Sequence, residues 1–213
     1  MRAAANTIRK MREALTAKLL HRMEGAMHMI YGQRKQSVFR NLPATIVEIG
    51  PGTGANWRYY RPGTRVIAVE PNTAMHPYLH KAARRYGLQI DIHGTKAERL
   101  DLESGSAEVV VGTLVLCSVD DPEKVLSEIR RILKPGGRFI FLEHVAAMAG
   151  TPLARVQNGL NRIWRRLFDS CRLNRHTWET INAAGFDRVA MDCFRLESSW
   201  MPVSPHICGV AAN

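Results

Sequence analysis

The strongest constraint on the fold is the stretch 47–54, in which an apolar run carries the acid Glu48 and leads into three alternate glycines. An apolar, β-branched run predicts a buried strand, and glycines directly after it predict a tight turn that opens a helix. Because glycine has no Cβ, a ligand can lie directly against the main-chain N–H groups of such a turn. The stretch therefore predicts a cofactor-binding turn.

The glycine spacing narrows the choice of cofactor. The dinucleotide fingerprint places its third glycine three residues after the second, whereas Gly50, Gly52 and Gly54 alternate, and no Lys-Ser/Thr pair follows to form a phosphate loop. A second buried run, 65–69, ends at Glu70, where one carboxylate can accept both hydroxyls of a ribose. Together the two motifs resemble the class I S-adenosylmethionine-dependent methyltransferases.

This resemblance implies an α/β fold, a single-domain doubly wound Rossmann-like mixed sheet. It also implies S-adenosyl-L-methionine as the cofactor and S-adenosyl-L-homocysteine as the product. The chain has 213 residues, 46% of them apolar, which is enough for one domain with a stable core. We expect that domain to span residues 41–213.

Residues 1–40 are expected to form a helical lid over the cofactor. From Ile8 to Ile30 the apolar residues recur at threes and fours, which is the period of a helix with one apolar stripe. In similar methyltransferases an N-terminal helix covers the cofactor and presents a tyrosine to it. The resemblance therefore implies that Tyr31 contacts the cofactor.

Several later segments carry a clear periodicity or turn signal. A Lys-Pro-Gly-Gly turn at 134–137, leading into an apolar strand that ends at His144, is a signature of small-molecule methyltransferases of this class. The same kind of reasoning predicts helices at 73–86, 121–131, 152–169 and 177–184, and strands at 88–93, 107–116, 189–196 and 206–211.

The cofactor contacts are carried over from the resemblance. Ligands in open α/β sheets bind outside the carboxyl ends of the strands, so residues 113–118 are expected to line the site. Where many family members have Gly-Asp-Ala and use the aspartate on adenine, this chain has Gly94-Thr95-Lys96-Ala97, so backbone groups near Ala97 or the side chain of Glu98 would serve instead. The expected contacts are Tyr31, Glu48, Gly50, Pro51, Gly52, Gly54, Asn56, Glu70, Pro71, Lys96, Ala97, Glu98, Thr113, Leu114 and Cys117.

Four strings bring the resemblance closer to one branch: 113–119, 141–145, 167–171, and Ser199-Trp200 with 205–207. They look like the methyltransferase-like seven proteins of animals and their bacterial relatives, which methylate small alkyl thiols. The implied acceptor is a small, mostly apolar molecule, with the sulfur of a thiol preferred.

Two residues are candidates for the chemistry. His144, at the carboxyl end of its strand, is a candidate general base or substrate-positioning residue, with a structural imidazole as the alternative. Asp169 could orient a base or accept a proton, or could instead cap a helix or pair with nearby arginines. Trp200 and His206 are candidates to close the acceptor pocket. Cys117 is interpreted as packing in the wall of the site.

Charge and cysteine content bear on partners and location. Residues 1–40 hold nine Lys and Arg against two acids, a basic excess that suits weak peripheral contact with an anionic membrane or a plainly solvated surface. No nucleic-acid-binding module accompanies it, so no nucleic-acid partner is expected. The four cysteines include no C-x-x-C pair, so we expect no metal site and a reducing, cytoplasmic location; Cys171 is interpreted as structural.

Two alternatives stay open at this point. One is an N- or O-methyltransferase acting on a phospholipid or another small molecule, which would use the basic helix at a membrane. The other is a cofactor-binding module that regulates a partner without catalysis. The oligomeric state is not indicated.

Overall fold

The structure is a computed structural model that describes residues 2–196 and 201–213; the side chains of residues 2–6 and 8 are outside the description. The chain forms two compact units, one ending at Lys96 and the other running from Ala97 to Asn213.

The first unit is a parallel α/β arrangement in which the long helix comes first. Its strands have the order β3-β2-β1, and Val47 of β1 is opposite Ile67 of β2, which is opposite Asp91 of β3. Its elements are α1 (Arg2–Val38), β1 (Thr45–Ile49), a 3-10 turn (Trp57–Tyr59), β2 (Arg65–Val69), α2 (His76–Tyr86) and β3 (Gln89–His93).

The helix predicted at the amino end is present and extends from Arg2 to Val38. Among the helices of residues 2–196 and 201–213, none is long and apolar enough to cross a membrane. Helix α2 ends at Gly87, whose φ of 65° is left-handed and whose N–H donates to the carbonyl of Ala83. Glycine takes this conformation without the steric penalty of a Cβ, which is why the helix stops there.

The second unit is a mixed sheet with helices. Strand β5 pairs parallel with β4 and antiparallel with β7, and β6 pairs antiparallel with β7, giving the order β4-β5-β7-β6. Its elements are β4 (Ala107–Thr113), α3 (Pro122–Ile132), β5 (Leu133–His144), α4 (Pro152–Leu167), α5 (Thr177–Ala183), β6 (Arg188–Arg195) and β7 (Pro205–Ala212).

The core of this unit lies around β4, β5 and α3. Residues 109–111 of β4 and 139–142 of β5 are almost completely buried, as expected of strands covered on both faces. In α3 the apolar residues Val125, Leu126, Ile129 and Ile132 have no exposed surface. Asp121 begins this helix, because its side chain accepts the N–H of Lys124 at 3.0 Å.

Several element boundaries differ from the sequence prediction, and two of the differences concern β4 and β5. Strand β4 ends at Thr113 rather than at residue 116, because Leu114 has a left-handed φ of 57° and turns the chain out of the strand direction. The Lys-Pro-Gly-Gly segment lies inside β5, which begins at Leu133, and Gly136 has a φ of 73° within it.

Gln157 of α4 fixes the chain after β5. The side chain is fully buried, and its Oε1 accepts the N–H of Ala147 at 2.6 Å. Its Nε2 donates to the carbonyl of Val145 at 3.2 Å and to that of Pro202 at 2.8 Å. The side-chain amide of Gln157 thus forms hydrogen bonds with three backbone groups that lie outside the strands.

Replacing Gln157 by Met keeps the volume but removes all three hydrogen bonds. Each buried backbone group left without a partner costs about 1–3 kcal/mol, so we expect the free energy of unfolding to fall by about 3 kcal/mol or more. Urea denaturation followed by circular dichroism measures this. The same substitution at Gln33, on the exposed side of α1, is the control and should change stability by less than about 0.5 kcal/mol. Equal effects at the two positions would contradict this account.

Candidate active site

The glycine turn after β1 has the backbone that its sequence predicts. Gly50, Gly52 and Gly54 all have left-handed φ values, 57°, 59° and 87°. A Cβ on Gly52 would meet no atom within 4 Å, whereas one on Gly54 would lie 2.9 Å from the Cβ of Ala82 in α2. Gly54 is therefore required by packing, and Gly52 leaves an open space beside the main chain that a ligand can use.

Glu48 holds the segment that follows this turn. Its Oε1 accepts Asn56 Nδ2 at 2.7 Å, and its Oε2 accepts Trp57 Nε1 at 2.8 Å and the hydroxyl of Tyr60 at 2.9 Å. The carboxyl group is 1% exposed, and burial raises its pKa although the three donors oppose that shift. The side chain of Glu48 therefore links β1 to the 3-10 turn.

Glu70 lies beside the glycine turn. Its Oε2 accepts the N–H of Gly52 at 3.0 Å, and its Oε1 accepts the N–H of Asn72 at 2.9 Å. Each carboxylate oxygen has a second lone pair that can accept a hydroxyl. The carboxylate and the open space at Gly52 are thus adjacent in the first unit, and these residues fit a nucleoside carrying a ribose.

Helix α1 contacts the loops after β1 and β2. Asn72 Nδ2 donates to the carbonyl of Glu13 at 3.3 Å, and His28 Nδ1 lies 2.6 Å from the hydroxyl of Tyr59. Tyr31, the tyrosine expected to reach the cofactor, is 4% exposed. Its position in the part of α1 that packs on these loops agrees with a covering role, which stays a prediction.

In the second unit, Glu143 organises the loop after β4. This side chain has no exposed surface, and it accepts the N–H groups of Val115, Leu116 and Cys117 at 2.9, 3.0 and 3.3 Å. Burial raises the pKa of its carboxyl group to about 7, although the backbone donors oppose the shift.

Arg175 holds the same loop through its carbonyl groups. Its Nη1 donates to the carbonyl of Leu116 and, at 2.9 Å, to that of Val119. The N–H of Arg172 donates to the carbonyl of Cys117 at 2.9 Å. Cys117 is therefore fixed on the side of the loop that faces the segment containing residues 171–175.

Cys171 lies against His144. Its Sγ is 2.9 Å from His144 Nε2, and it accepts the indole N–H of Trp164 at 3.3 Å. Asp169 and Ser170, directly before it, have left-handed φ values of 44° and 65°. Non-glycine residues keep such φ values only where the surroundings impose them.

These three side chains form one buried cluster. The ligand atoms of Cys117, His144 and Cys171 lie within 4.8 Å of one another. The thiol of Cys117 donates to the carbonyl of Leu114 at 3.5 Å. The proximity of Cys117, His144 and Trp164 lowers the pKa of the Cys171 thiol although burial opposes this shift, and the proximity of Cys171 together with burial raises the pKa of the Cys117 thiol. The cluster can therefore hold a sulfur anion in a buried place.

His206 is next to this cluster. It is opposite His144 in the pairing of β7 with β5, with ring centroids 6.3 Å apart, and its Nδ1 lies 3.0 Å from the carbonyl oxygen of Ser204. The ring of His206 also stacks on that of Phe194, with ring centroids 5.2 Å apart. His144 Nδ1 is buried and has no hydrogen-bond partner among the residues that the structure describes.

The remaining predicted contacts are distributed over both units. Glu98 Oε1 accepts the N–H of Asp120 at 2.9 Å and so supports the start of α3. Asp169 is exposed, and Trp200 lies outside the described residues. Of the other expected contacts, Pro51, Asn56, Ala97 and Cys117 are buried, Thr113 and Leu114 are half-buried, and Pro71 and Lys96 are exposed.

Sequence reasoning missed Glu143, Arg175 and the pairing of Cys171 with His144. The run 139–142 followed by an acid repeats the pattern seen at Glu70, and that pattern was a usable signal for Glu143. For Cys171 no local pattern exists, because its partners come from β5 and α4.

Comparisons with known proteins place the chain in a family. The family described as a methyltransferase domain matches residues 47–141. The human thiol S-methyltransferase TMT1B is 38% identical over 202 residues, which cover 93% of this chain and 83% of that protein. Human TMT1A is also 38% identical, over 191 residues that cover 84% and 78%.

Solved structures agree on the fold. A crystal structure of an S-adenosylmethionine-dependent methyltransferase from Thermotoga maritima, described as a possible histamine N-methyltransferase, has a TM-score of 0.68 to this chain at 22% identity. The match covers 94% of this chain and 98% of that one. This confirms the predicted single-domain, doubly wound mixed sheet. The chain belongs to the family of the thiol S-methyltransferases TMT1A and TMT1B, within the class I S-adenosylmethionine-dependent methyltransferases.

Proposed function

We propose that this methyltransferase transfers the methyl group of S-adenosyl-L-methionine to the sulfur of a small, mostly apolar thiol. The observation that carries the proposal is the 38% identity to thiol S-methyltransferases over 93% of the chain. The buried cluster of Cys117, His144 and Cys171 supports it, because its donors suit a sulfur anion.

The cofactor is proposed to bind at the glycine turn of the first unit. Glu70 accepts the ribose hydroxyls, and the N–H groups and open space around Gly52 accept the nucleoside. Tyr31 and Glu48 are proposed as further contacts. When bound, S-adenosyl-L-methionine supplies a methyl group on a positively charged sulfur, which a thiolate can take up in one displacement that leaves a neutral thioether.

In the second unit, His144 is proposed to position the acceptor sulfur or to accept its proton. The Nε2 of this residue faces a cysteine sulfur, so the ring is already oriented toward sulfur chemistry. Asp169 is proposed to orient the segment that carries Cys171, since its left-handed backbone lies two residues before Cys171. His206 and Trp200 are proposed to border the acceptor.

Weak contact with an anionic membrane is proposed for helix α4. Its residues Val156, Leu160, Ile163 and Leu167 are 41–65% exposed and recur at fours and threes, so they form one outward apolar stripe. Arginines lie beside the stripe, and Pro152–Leu167 contains no acid. An exposed apolar stripe flanked by arginines is typical of helices that lie on anionic lipid.

A cytoplasmic location is proposed on the chemistry of the cysteines. All four are free thiols in this structure, and a reducing compartment keeps Cys117 and Cys171 in that form.

Methylation of an amine or a phospholipid is the second candidate reaction. It is supported by the similarity to a phosphatidylethanolamine N-methyltransferase from Cereibacter sphaeroides that is 28% identical over 55% of this chain.

Changing Glu70 to Gln should weaken S-adenosyl-L-homocysteine binding by about 1–3 kcal/mol, because a charged hydrogen-bond acceptor is lost. Isothermal titration calorimetry measures this. The sharper test is a thermodynamic cycle that combines the variant with the 2′-deoxy analogue of S-adenosyl-L-homocysteine. The wild-type protein should lose affinity when the ribose 2′-hydroxyl is removed, and the variant should not. Asp91→Asn, at an exposed acid of β3, is the control. An equal penalty for the analogue in both proteins would refute the ribose contact.

The acceptor class is tested with a panel of alkyl thiols, phenols, amines and phosphatidylethanolamine, using labelled methyl donor and mass spectrometry of the products. We expect S-methyl thioethers from the apolar thiols. His144→Ala should lower kcat for thiols by about 100-fold, the usual contribution of a positioned catalytic group, without changing cofactor affinity. His176→Ala, at a half-exposed histidine, is the control. Methylation of amines alone would overturn the thiol proposal.

Membrane contact is tested by flotation with vesicles of phosphatidylcholine, with and without phosphatidylglycerol. We expect flotation only with the anionic lipid, and we expect Ile163→Glu to abolish it because a charge would enter the apolar stripe. Met148→Glu, at an exposed apolar residue outside α4, is the matched control. Protein that fails to float with anionic vesicles, or an equal loss in both variants, would contradict a role for α4.

A further inference from the structure

The cluster of Cys117, His144 and Cys171 has the composition of a metal site. It presents two cysteine sulfurs and one imidazole nitrogen, all buried and within 4.8 Å of one another. Thiolates and imidazole are the ligands that Zn²⁺ and other thiophilic cations take in proteins. Around tetrahedral zinc, such ligand atoms are separated by about 3.5–3.8 Å, from the usual bond lengths, so shifts of about 1 Å would form the site.

Left-handed backbone conformations lie near both cysteines of the cluster. In the described part of the chain, the non-glycine residues with left-handed φ are Leu114, Asp169 and Ser170. Each lies within three residues of a cysteine of the cluster. Asp169 and Ser170 follow the end of α4, where left-handed residues are common, and the N–H of Ser170 donates to the carbonyl of Arg165 at 3.0 Å. The end of α4 thereby fixes where Cys171 begins the next segment.

Simple packing does not account for Cys171. Its sulfur lies within hydrogen-bond distance of two nitrogen atoms, His144 Nε2 at 2.9 Å and Trp164 Nε1 at 3.3 Å. A cysteine that only fills space has apolar neighbours. Two nitrogen atoms within hydrogen-bond distance of one buried sulfur instead indicate a site that stabilises a thiolate.

We propose that Cys117, His144 and Cys171 bind one thiophilic divalent cation of the Zn²⁺ class and leave a fourth coordination position open. His144 coordinates through Nε2, the nitrogen that already faces sulfur. Both cysteines bind as thiolates, so every thiol proton that they carry is released to solvent, and His144 binds as the neutral imidazole with its proton on Nδ1. Three protein ligands with one open position is the arrangement of catalytic rather than structural zinc.

The open position suits the acceptor, and this part of the inference rests on the proposed thiol methylation. A thiol that coordinates the cation does so as thiolate and releases its proton to solvent. A free thiol has a pKa near 8.5 and is mostly protonated at neutral pH. The cation would thus supply the acceptor in its nucleophilic form, and His144 would position the acceptor through the metal.

Cation binding is tested first without activity. Protein freed of metal by a chelator is titrated with Co²⁺, which reports sulfur ligation through a charge-transfer absorption band, and with Zn²⁺ against a chromophoric competitor. We expect one equivalent to bind. Cys117→Ser, Cys171→Ser and His144→Gln should each weaken binding at least 100-fold. Cys193→Ser, at the exposed cysteine of β6, should leave it unchanged.

Three outcomes would overturn the cation site. These are absence of the charge-transfer band in the wild-type protein, a band that Cys193→Ser removes and Cys171→Ser does not, and a disulfide between Cys117 and Cys171 found by mass spectrometry in protein prepared without oxygen. The wild-type titration stands by itself if a variant fails to fold.

The fourth position is tested with the cobalt-loaded protein. One equivalent of an alkyl thiol should intensify the charge-transfer band, and an alcohol of the same length should not. Chelated enzyme should lose thiol methylation and regain it with Zn²⁺. Full thiol methylation by chelated enzyme would overturn the metal's role and leave the proposed function intact. Cation binding without methylation of any thiol would refute the proposed function and leave the cation site intact.

Discussion

The candidate site of the second unit depends on the carboxylate of Glu143. Where the chain leaves β4, the left-handed Leu114 is followed by three successive N–H groups that all point to this carboxylate. Without a partner, each buried N–H would cost about 1–3 kcal/mol. A single acid at the end of the neighbouring strand satisfies all three. Cys117 is consequently fixed by the hydrogen-bonding requirement of its own backbone.

In the first unit, buried carboxylates also fix the loops that follow the strands, but the donors differ. Glu48 in β1 gathers side-chain donors from the segment after the glycine turn, and Glu70 after β2 gathers backbone N–H groups from two loops. In each case a buried apolar strand leads to an acid near the point where the chain leaves the sheet. Backbone groups in these loops have few neighbouring strands to which they can hydrogen-bond. A carboxylate, which has several lone pairs, can accept several of their N–H groups and fix the loop. The difference lies in the donors, which are side chains of Asn56, Trp57 and Tyr60 for Glu48 and backbone N–H groups of Gly52 and Asn72 for Glu70.

Local patterns were sufficient for the strands, the helices and the glycine turn. Val109 to Val111 are buried as their apolar, β-branched sequence predicts, and Glu70 lies beside Gly52 as the spacing of two strands implies. The end of β4 was not predictable, because Leu114 takes a φ that its side chain does not favour. The cluster around Cys171 was not predictable either, since its geometry depends on β5, α4 and two strained residues meeting in three dimensions.

The chemistry of this cluster favours sulfur over nitrogen as the acceptor. At neutral pH, deprotonating a free thiol of pKa about 8.5 costs about 2 kcal/mol, whereas an alkylamine of pKa about 10.4 costs about 5 kcal/mol. The donors around Cys171 stabilise an anion, which helps a thiolate and does nothing to remove a proton from an ammonium group. An ammonium group would also enter a buried region that contains the ring of His144 and the guanidinium of Arg175, a residue that is only 9% exposed. These neighbours therefore support the proposed thiol acceptor over the amine alternative.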